Sequence, residues 1–344
     1  SPAGCRDSAE QARQQETVSK HSVAGGRAKA KEVRRLPLPS QRASMKPQVE
    51  IASRSAGQFD APAGTGNASV PTRGASRRSD EISAHGTPPQ IDEERMQAAG
   101  FVRYAGRHLT LYTDLPQGSA VEELPAVFDK AVPQWCDYFG VEAARAASWH
   151  MIAYLMQDPQ RFRNAGVLPD DMPRFLNGYQ RKAELWLYEQ PADYYRRHLL
   201  LHEGTHGFMQ WALGAAGPPW FMEGIAELLA THCWRDGQLT LHYFPQNREE
   251  VPHWGRIKII KDDLAAGRGK SLEDVLNYDA QAHLKVEPYA WCWAAATLFD
   301  HHPATRPKFR ELCHFTTEAS GPFNERFLSS LAAQWPLLVR QWQV

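Results

Sequence analysis

Two histidines four positions apart, with a glutamate directly after the first, are the residues in this sequence best suited to chemistry. They are His202, Glu203 and His206. If residues 199–213 form a helix, both imidazoles project from one face towards a single ion. Neutral imidazoles bind zinc, and a carboxylate beside a zinc-activated water can take its proton. The spacing therefore predicts a zinc site with hydrolytic chemistry.

A catalytic zinc site needs a third protein ligand and an open position for water. A second helix is predicted to begin at Pro218 and Pro219, which places Glu223 in or near its first turns and Glu227 one turn later. Glu223 is the natural third ligand. Glu227 could accept a hydrogen bond from the far ring nitrogen of a liganding histidine and so fix its orientation. The alternative interpretation is a pair of core or surface histidines without a metal.

These two segments together resemble a known group of enzymes. The sequences His-Glu-Gly-Thr-His at 202–206 and Trp-Phe-Met-Glu-Gly-Ile-Ala-Glu at 220–227 resemble the gluzincin metallopeptidases, whose third zinc ligand is a glutamate on a following helix. They are most similar to a family of uncharacterised bacterial peptidase-MA-like proteins. The resemblance extends over about residues 101–342. It implies one Zn²⁺ per chain with His202, His206 and Glu223 as ligands, Glu203 as general base, and Glu227 behind a liganding histidine.

Peptide-bond hydrolysis also needs a donor for the negative charge that develops on the carbonyl oxygen. In the aminopeptidase branch of the gluzincins a tyrosine supplies this donor, from a helix that follows the glutamate ligand. Tyr289 lies at a similar separation and at a predicted helix start. The alternative is an aromatic side chain that anchors this helix to the core. His242, His253 and His283 are weaker candidates for the same role.

The resemblance implies a peptide or protein substrate. The aminopeptidases carry a Gly-x-Met-Glu-Asn strand that holds the substrate's free amine, and nothing before His202 matches it. Endopeptidase action is therefore favoured over aminopeptidase action. The strand that ends at Tyr188 is predicted to form the edge of the cleft, where an extended peptide could add as a further strand; an ordinary sheet edge is the alternative.

A catalytically silent zinc-binding scaffold, or a protein-binding module of the same fold, is the alternative function. Glu203 argues against it, because a structural zinc does not need a general base. A structural site would also favour a closed set of four protein ligands.

Composition excludes other classes. The 344 residues have a formal net charge of zero, which gives no reason to expect a nucleic-acid partner. No apolar run is long enough to span a membrane. The five cysteines indicate neither a disulfide framework nor a thiolate zinc site. No glycine-rich phosphate loop or Gly-x-Ser-x-Gly turn is present. A secreted or cell-envelope location is preferred to the cytoplasm.

The elements that must position the motif form two lobes. Residues 1–95 are poor in large apolar side chains and are predicted to be a disordered leader. Residues 96–344 are predicted to form an α+β, zincin-like catalytic domain. It comprises a lobe with a mixed β-sheet (96–192), the active-site helices (193–234) and a helical lobe (235–344), with the cleft between sheet and helices.

Hydrophobic patterns give the elements themselves. Strands are predicted at 108–113, 149–155 and 178–189. A helix capped by Ser119 runs to about Phe139, and Asp193 is predicted to cap the motif helix. Further helices are predicted at 257–266, 271–276, 288–299, 304–313 and 323–342.

Overall fold

The structure is a computed structural model that describes residues 87–252, 255–279 and 285–342. Short helices and strands alternate before the motif helix. In chain order these elements are α1 (Glu93–Ala98), β1 (Val102–Ala105), β2 (Leu109–Thr113), α2 (Ser119–Glu122), α3 (Leu124–Phe139), α4 (Ala143–Ala146), β3 (Met151–Met156), α5 (Pro159–Asn164), β4 (Gly178–Arg181) and β5 (Glu184–Tyr188).

The second half is mostly helical. It contains α6 (Asp193–Leu213), α7 (Pro219–Ala230), β6 (Cys233–Arg235), β7 (Gln238–Thr240), α8 (Gly255–Ala265), α9 (Leu272–Leu276), α10 (Glu287–His301), α11 (Arg306–Glu311), a 3-10 turn (Leu312–Phe315), α12 (Ser320–Ser330) and α13 (Trp335–Trp342).

Five strands form one mixed sheet in the order β1, β2, β3, β5, β4. β2 is parallel to β3, and β3 is parallel to β5. The outer strands β1 and β4 are antiparallel to their neighbours, and β6 and β7 form a separate antiparallel pair. The predicted α+β class with a mixed sheet before the motif helix is therefore confirmed.

The central strands β2 and β3 are buried on both faces, since every side chain along them is buried and successive side chains point to opposite sides of the sheet. On β2, Leu109 and Leu111 belong to a large core that joins the sheet to α3, α6, α7 and α10. Tyr112 belongs to a smaller core on the opposite face, together with Met96 and Phe162. The motif helix α6 is thus fixed between the sheet and the later helices.

The motif helix approaches α3 very closely. A β-carbon built at Gly204 would lie 2.6 Å from the ring of Phe128 and 2.8 Å from that of Trp135, which is closer than van der Waals contact. These two rings pack edge to face at 5.2 Å between centroids. Phe208, one turn along α6, lies 5.7 Å from Trp135. The glycine between the two motif histidines therefore lets α6 lie flat on an aromatic wall, with its histidines directed away from it.

Several sequence-based boundaries are wrong. Residues 178–189 form the hairpin β4–β5 instead of one strand, and the chain reverses at Lys182, whose φ of 55° is left-handed. Residues 323–342 form parts of two helices, because Pro336 is compatible only with the first turn of a helix. The N-cap of α6 is Ala192, and Asp193 is its first helical residue.

Other elements were not anticipated from the sequence, namely α1, β1, α4 and the β6–β7 pair. Residues 1–86 of the predicted leader lie outside the described residues. Across the described ranges, no helix combines the length and the apolar character that a membrane span requires.

Candidate metal centre

Helix α6 brings its histidines to one buried face. His202 and His206 are 5% and 9% exposed. His198, one turn before His202, is also buried and lies on the same face. Helix α7 packs against α6 and adds Glu223 and Glu227, both buried. The short connection after α6 turns the chain back at Pro218 and Pro219, as the sequence predicts.

Three donor atoms converge at the centre of this cluster. Glu223 Oε2 lies 3.2 Å from His202 Nε2 and 3.4 Å from His206 Nε2, and the two nitrogens are 3.0 Å apart. A tetrahedral zinc with ligands at about 2.0–2.1 Å has about 3.3–3.4 Å between its ligand atoms. The three atoms therefore have nearly the spacing that a zinc ion imposes on its ligands.

Their hydrogen bonding points to a cation as well. Glu223 Oε2 is buried and accepts no hydrogen bond from any residue in the described ranges. Such a buried carboxylate oxygen is costly unless a cation or donor faces it. Two imidazole nitrogens and one carboxylate oxygen are the donor set that zinc prefers. The residues present thus fit a zinc ion by spacing, by unmet hydrogen-bonding capacity and by chemistry.

Without a metal, a proton occupies this cluster. Burial by itself would lower the pKa of His202, but the carboxylates of Glu223 and Glu227 outweigh burial and raise that pKa to about 10. Burial would raise the pKa of Glu223, but His206 and His202 outweigh it and lower that pKa to about 2. The metal-free site is therefore an ion pair at neutral pH, and a metal ion competes with the proton for His202.

Glu227 connects the two histidines and an arginine. Its Oε1 lies 3.1 Å from His202 Nδ1, and its Oε2 accepts hydrogen bonds from His198 Nε2 at 3.2 Å and from Arg256 Nε at 2.6 Å. Burial would raise the pKa of Glu227, but Arg256 and His198 hold it well below its usual range. Glu227 stays ionised, and with a metal bound it would favour the tautomer of His202 that carries its proton on Nδ1 and leaves Nε2 to the ion.

Glu203 lies under the edge of the sheet. It is 6% exposed, and a β-carbon built at Gly178 of β4 would lie 2.6 Å from its Oε1. Gly178 therefore leaves the room that this carboxylate occupies. Burial raises the pKa of Glu203, against the opposing effect of His202 and His206. A carboxylate with a raised pKa is a better proton acceptor near neutral pH.

The cluster opens into a cleft of about 310 Å³. One wall is β4 with the preceding segment, and the other is made by α6, α7, Arg256 and Tyr289. The prediction that the strand ending at Tyr188 forms the cleft's edge is wrong, because β5 is paired on both sides, with β3 and β4. Strand β4 is the outer strand of the sheet, and its residues line the cleft.

Tyr289 lies at the centre, as the sequence predicts. Its ring is 5.7 Å from that of His202, at the start of α10. Burial, followed by the charges of Glu223 and Glu203, raises the pKa of Tyr289, so its hydroxyl keeps its proton. Of the weaker candidates, His242 does not line the cleft, whereas His253 and His283 lie outside the described residues.

His242 belongs to a second cluster, together with Asp300 and His301. His242 Nε2 lies 3.1 Å from Asp300 Oδ2, and the two imidazole rings are 4.6 Å apart. Asp300 is fully buried, but Arg310 donates to both of its oxygens and Tyr138 donates to one of them. The charge of Asp300 is therefore already balanced by an arginine.

Sequence reasoning missed two residues at the centre, His198 and Arg256. His198 precedes His202 by four positions, so the helical spacing that identified the motif would also have placed it on the same face. Arg256 is 29 positions after Glu227, and its segment has no local pattern that indicates a buried partner. Only the packing of α8 against the centre identifies it.

Comparisons with known proteins do not show which family this chain belongs to. No protein-family model matches the sequence, and no curated protein matches it significantly. The resemblance to gluzincins therefore rests on the two sequence segments at 202–206 and 220–227.

Proposed function

We propose that this chain is a zinc-dependent hydrolase that cleaves internal peptide bonds, with a zincin-like arrangement of sheet, motif helix and glutamate helix. The observation that carries the proposal is the convergence of His202 Nε2, His206 Nε2 and Glu223 Oε2 within 3.0–3.4 Å of one another. These atoms lie in the lining of a cleft that also includes the buried carboxylate of Glu203 and the side chain of Tyr289.

His202, His206 and Glu223 would hold one zinc ion, and Glu227 would orient His202 from behind. When bound, zinc lowers the pKa of a coordinated water and polarises a carbonyl group. Three protein ligands leave a position open, which is typical of catalytic rather than structural zinc.

Glu203 and Tyr289 supply the proton chemistry in this proposal. Glu203 takes a proton from the attacking water and later delivers it to the leaving amine. The raised pKa of the carboxyl group supports this role. Tyr289 keeps its hydroxyl proton, and in this proposal it donates a hydrogen bond to the developing oxyanion; its position in the lining of the cleft and the raised pKa of its hydroxyl support this role.

The shape and charge of the cleft favour an internal peptide bond. The outer strand β4 lines the cleft and, among the described strands, is paired only with β5, so an extended peptide can add to its free edge. The carboxylates among the described residues that line the cleft are Glu203, Glu223 and Glu227. Each has a role at the centre, so none is left to hold a substrate's free amine.

The proposal is tested by Glu203→Gln on a mixed peptide library, with zinc measured on the same samples. We expect cleavage to fall by about 10²–10⁴-fold, because the general base is lost, while zinc stays at about one per chain. Glu311→Gln, at an exposed carboxylate on α11, is the matched control and should keep full activity.

A wild-type protein that binds zinc but cleaves no peptide in the library would refute the proposed activity. The same result would support the alternative of a zinc-binding scaffold. Binding of a hydroxamate inhibitor, which needs an open metal position, would separate a usable catalytic site from a closed one.

A further inference from the structure

A second cavity adjoins the cleft. Its volume is about 350 Å³, and it shares five lining residues with the cleft, namely Asn177, His198, Leu199, Arg256 and Val286. The two spaces therefore meet beside the candidate metal centre. We call this second cavity the side chamber, and its other walls come from the start of α6, from α8, from α10 and from the segment before α8.

The side chamber has a largely apolar lining. Tyr194, Val251, Ile257, Ile259 and Trp293 are among the residues that form it. A chamber of this size and lining accommodates an aromatic or branched aliphatic side chain and removes its surface from water.

Contacts behind its walls hold them in place. Tyr194 stacks on His232 at 4.6 Å between ring centroids, with 8° between the planes. Trp293 stacks on Phe244 at 5.7 Å and 12°. Tyr195, another lining residue, donates a hydrogen bond from its hydroxyl to Pro252 O at 2.6 Å. The walls are therefore built before a ligand arrives, which reduces the entropic cost of binding.

The polar groups at the junction also constrain the ligand. The guanidinium of Arg256 is already paired with Glu227, so its charge is balanced. His198 is 8% exposed, and its Nδ1 has no hydrogen-bond partner among the described residues. His198 Nε2 is hydrogen-bonded to Glu227 and Nδ1 is shielded from solvent, so neither ring nitrogen offers a charged partner to a ligand.

We propose that the side chamber binds a large uncharged side chain, such as phenylalanine or leucine, on the residue next to the scissile bond. This assignment rests on the proposed function, because the cleft defines where the scissile bond lies. A charged side chain would lose its hydration in the chamber without gaining a partner of opposite charge.

The test uses peptides that are identical except at one position, which carries Phe, Ala or Glu next to the cleaved bond. For the wild-type protein we expect kcat/KM for the Phe peptide to exceed that for the Ala peptide by about 30-fold or more, with the Glu peptide lowest. Equal rates for the three peptides would overturn the side-chamber proposal and leave the proposed function intact.

Ile259→Trp fills the chamber from α8. It should reduce cleavage of the Phe peptide by at least about tenfold and change that of the Ala peptide by less than about threefold. Leu264→Trp is the matched control, since Leu264 is 59% exposed on the same helix and does not line the chamber. If Ile259→Trp does not fold, Ile257→Trp, which lines the chamber but not the cleft, replaces it.

Binding separates this proposal from the proposed activity. Affinities of the three peptides are measured for the wild-type protein and for Ile259→Trp. If nothing is cleaved but the Phe peptide binds most tightly, and Ile259→Trp removes that preference, the chamber assignment holds while the activity fails. If the peptides bind equally or not at all, the chamber assignment fails too.

Discussion

Among the described residues, the clusters at Glu223 and at Asp300 each combine two histidines with a buried carboxylate, but the two carboxylates are held differently. At Glu223 the carboxylate oxygen faces two ring nitrogens and accepts no hydrogen bond from a described residue. At Asp300 an arginine binds both carboxylate oxygens. The composition of the two clusters is similar, but the balancing charge differs. At Asp300 it is an arginine, which keeps its charge, whereas at Glu223 it is a proton on His202, which a metal ion can displace.

This difference has a simple physical basis. A carboxylate that is paired with a guanidinium gains little from a second cation. A metal ion bound there would also lie close to the positive charge of the arginine. The arginine at the first cluster, Arg256, binds Glu227 instead, one turn beyond Glu223. It orients the support behind His202 and leaves the ligand oxygen of Glu223 available.

The largest expected effect is on metal content. His202→Ala should reduce zinc from about one per chain to none, because one of three protein ligands is removed. His242→Ala is its counterpart at the second cluster and should leave zinc unchanged. Elemental analysis of dialysed protein measures both; zinc lost from His242→Ala, or retained by His202→Ala, would reverse the assignment of the two clusters.

The second prediction concerns folding stability. Asp300→Asn breaks a buried ion pair and should lower the free energy of unfolding by about 3 kcal/mol without changing zinc content. Asp262→Asn is the control, because the Lys258–Asp262 pair is exposed on both sides and should contribute less than about 1 kcal/mol. Urea denaturation measures both variants. An Asp300→Asn protein that is as stable as wild type but has lost zinc would show that Asp300 is a ligand.

A smaller effect is expected at the edge strand. Gly178→Ala places a β-carbon 2.6 Å from Glu203 Oε1, so the carboxylate must move. We expect kcat to fall by about ten- to a hundredfold with zinc unchanged, because a misplaced base loses its alignment with the water. Gly118→Ala is the control, since nothing lies within 4 Å of a β-carbon there. Equal kcat values for the two variants would show that Glu203 tolerates displacement.

The smallest effect is a proton released on metal binding. In the metal-free protein His202 is protonated below its raised pKa of about 10, and zinc must displace that proton. Zinc affinity should therefore rise about tenfold per pH unit between pH 7 and 9 and level off above pH 10. Burial instead lowers the pKa of His242, so that ring is neutral at pH 7 and should release none.

Calorimetry in buffers of different ionisation enthalpy counts the released protons. About one proton per zinc at pH 8 is expected for the wild-type protein. If no proton is released, His202 is neutral in the metal-free protein, and Glu223 and Glu227 do not raise its pKa above the pH of the measurement.

The parts of this molecule that local sequence patterns control were predictable. The motif helix, the helix that follows the proline pair, and the convergence of His202, His206 and Glu223 all follow from spacings within about 25 residues. The tyrosine at the start of α10 was also placed correctly beside the centre. Its catalytic role stays a prediction.

Features that depend on distant packing were not predictable. The hairpin β4–β5 was predicted as one strand. The chain reverses at Lys182 through a left-handed backbone conformation, which the sequence pattern does not indicate. The identity of the cleft's edge strand depended on that hairpin, so it was wrong as well. Arg256 reaches Glu227 from a helix of the predicted helical lobe whose sequence has no pattern that indicates a buried partner.

The ion pair between Arg256 and Glu227 has a thermodynamic consequence. It joins helix α8, whose Ile257 and Ile259 line the side chamber, to the carboxylate that supports His202. If filling the chamber holds α8 in place, a bound peptide will raise the affinity for zinc, and zinc will raise the affinity for the peptide by the same factor. Through this ion pair, the peptide bound in the side chamber and the zinc ion would stabilise each other's binding.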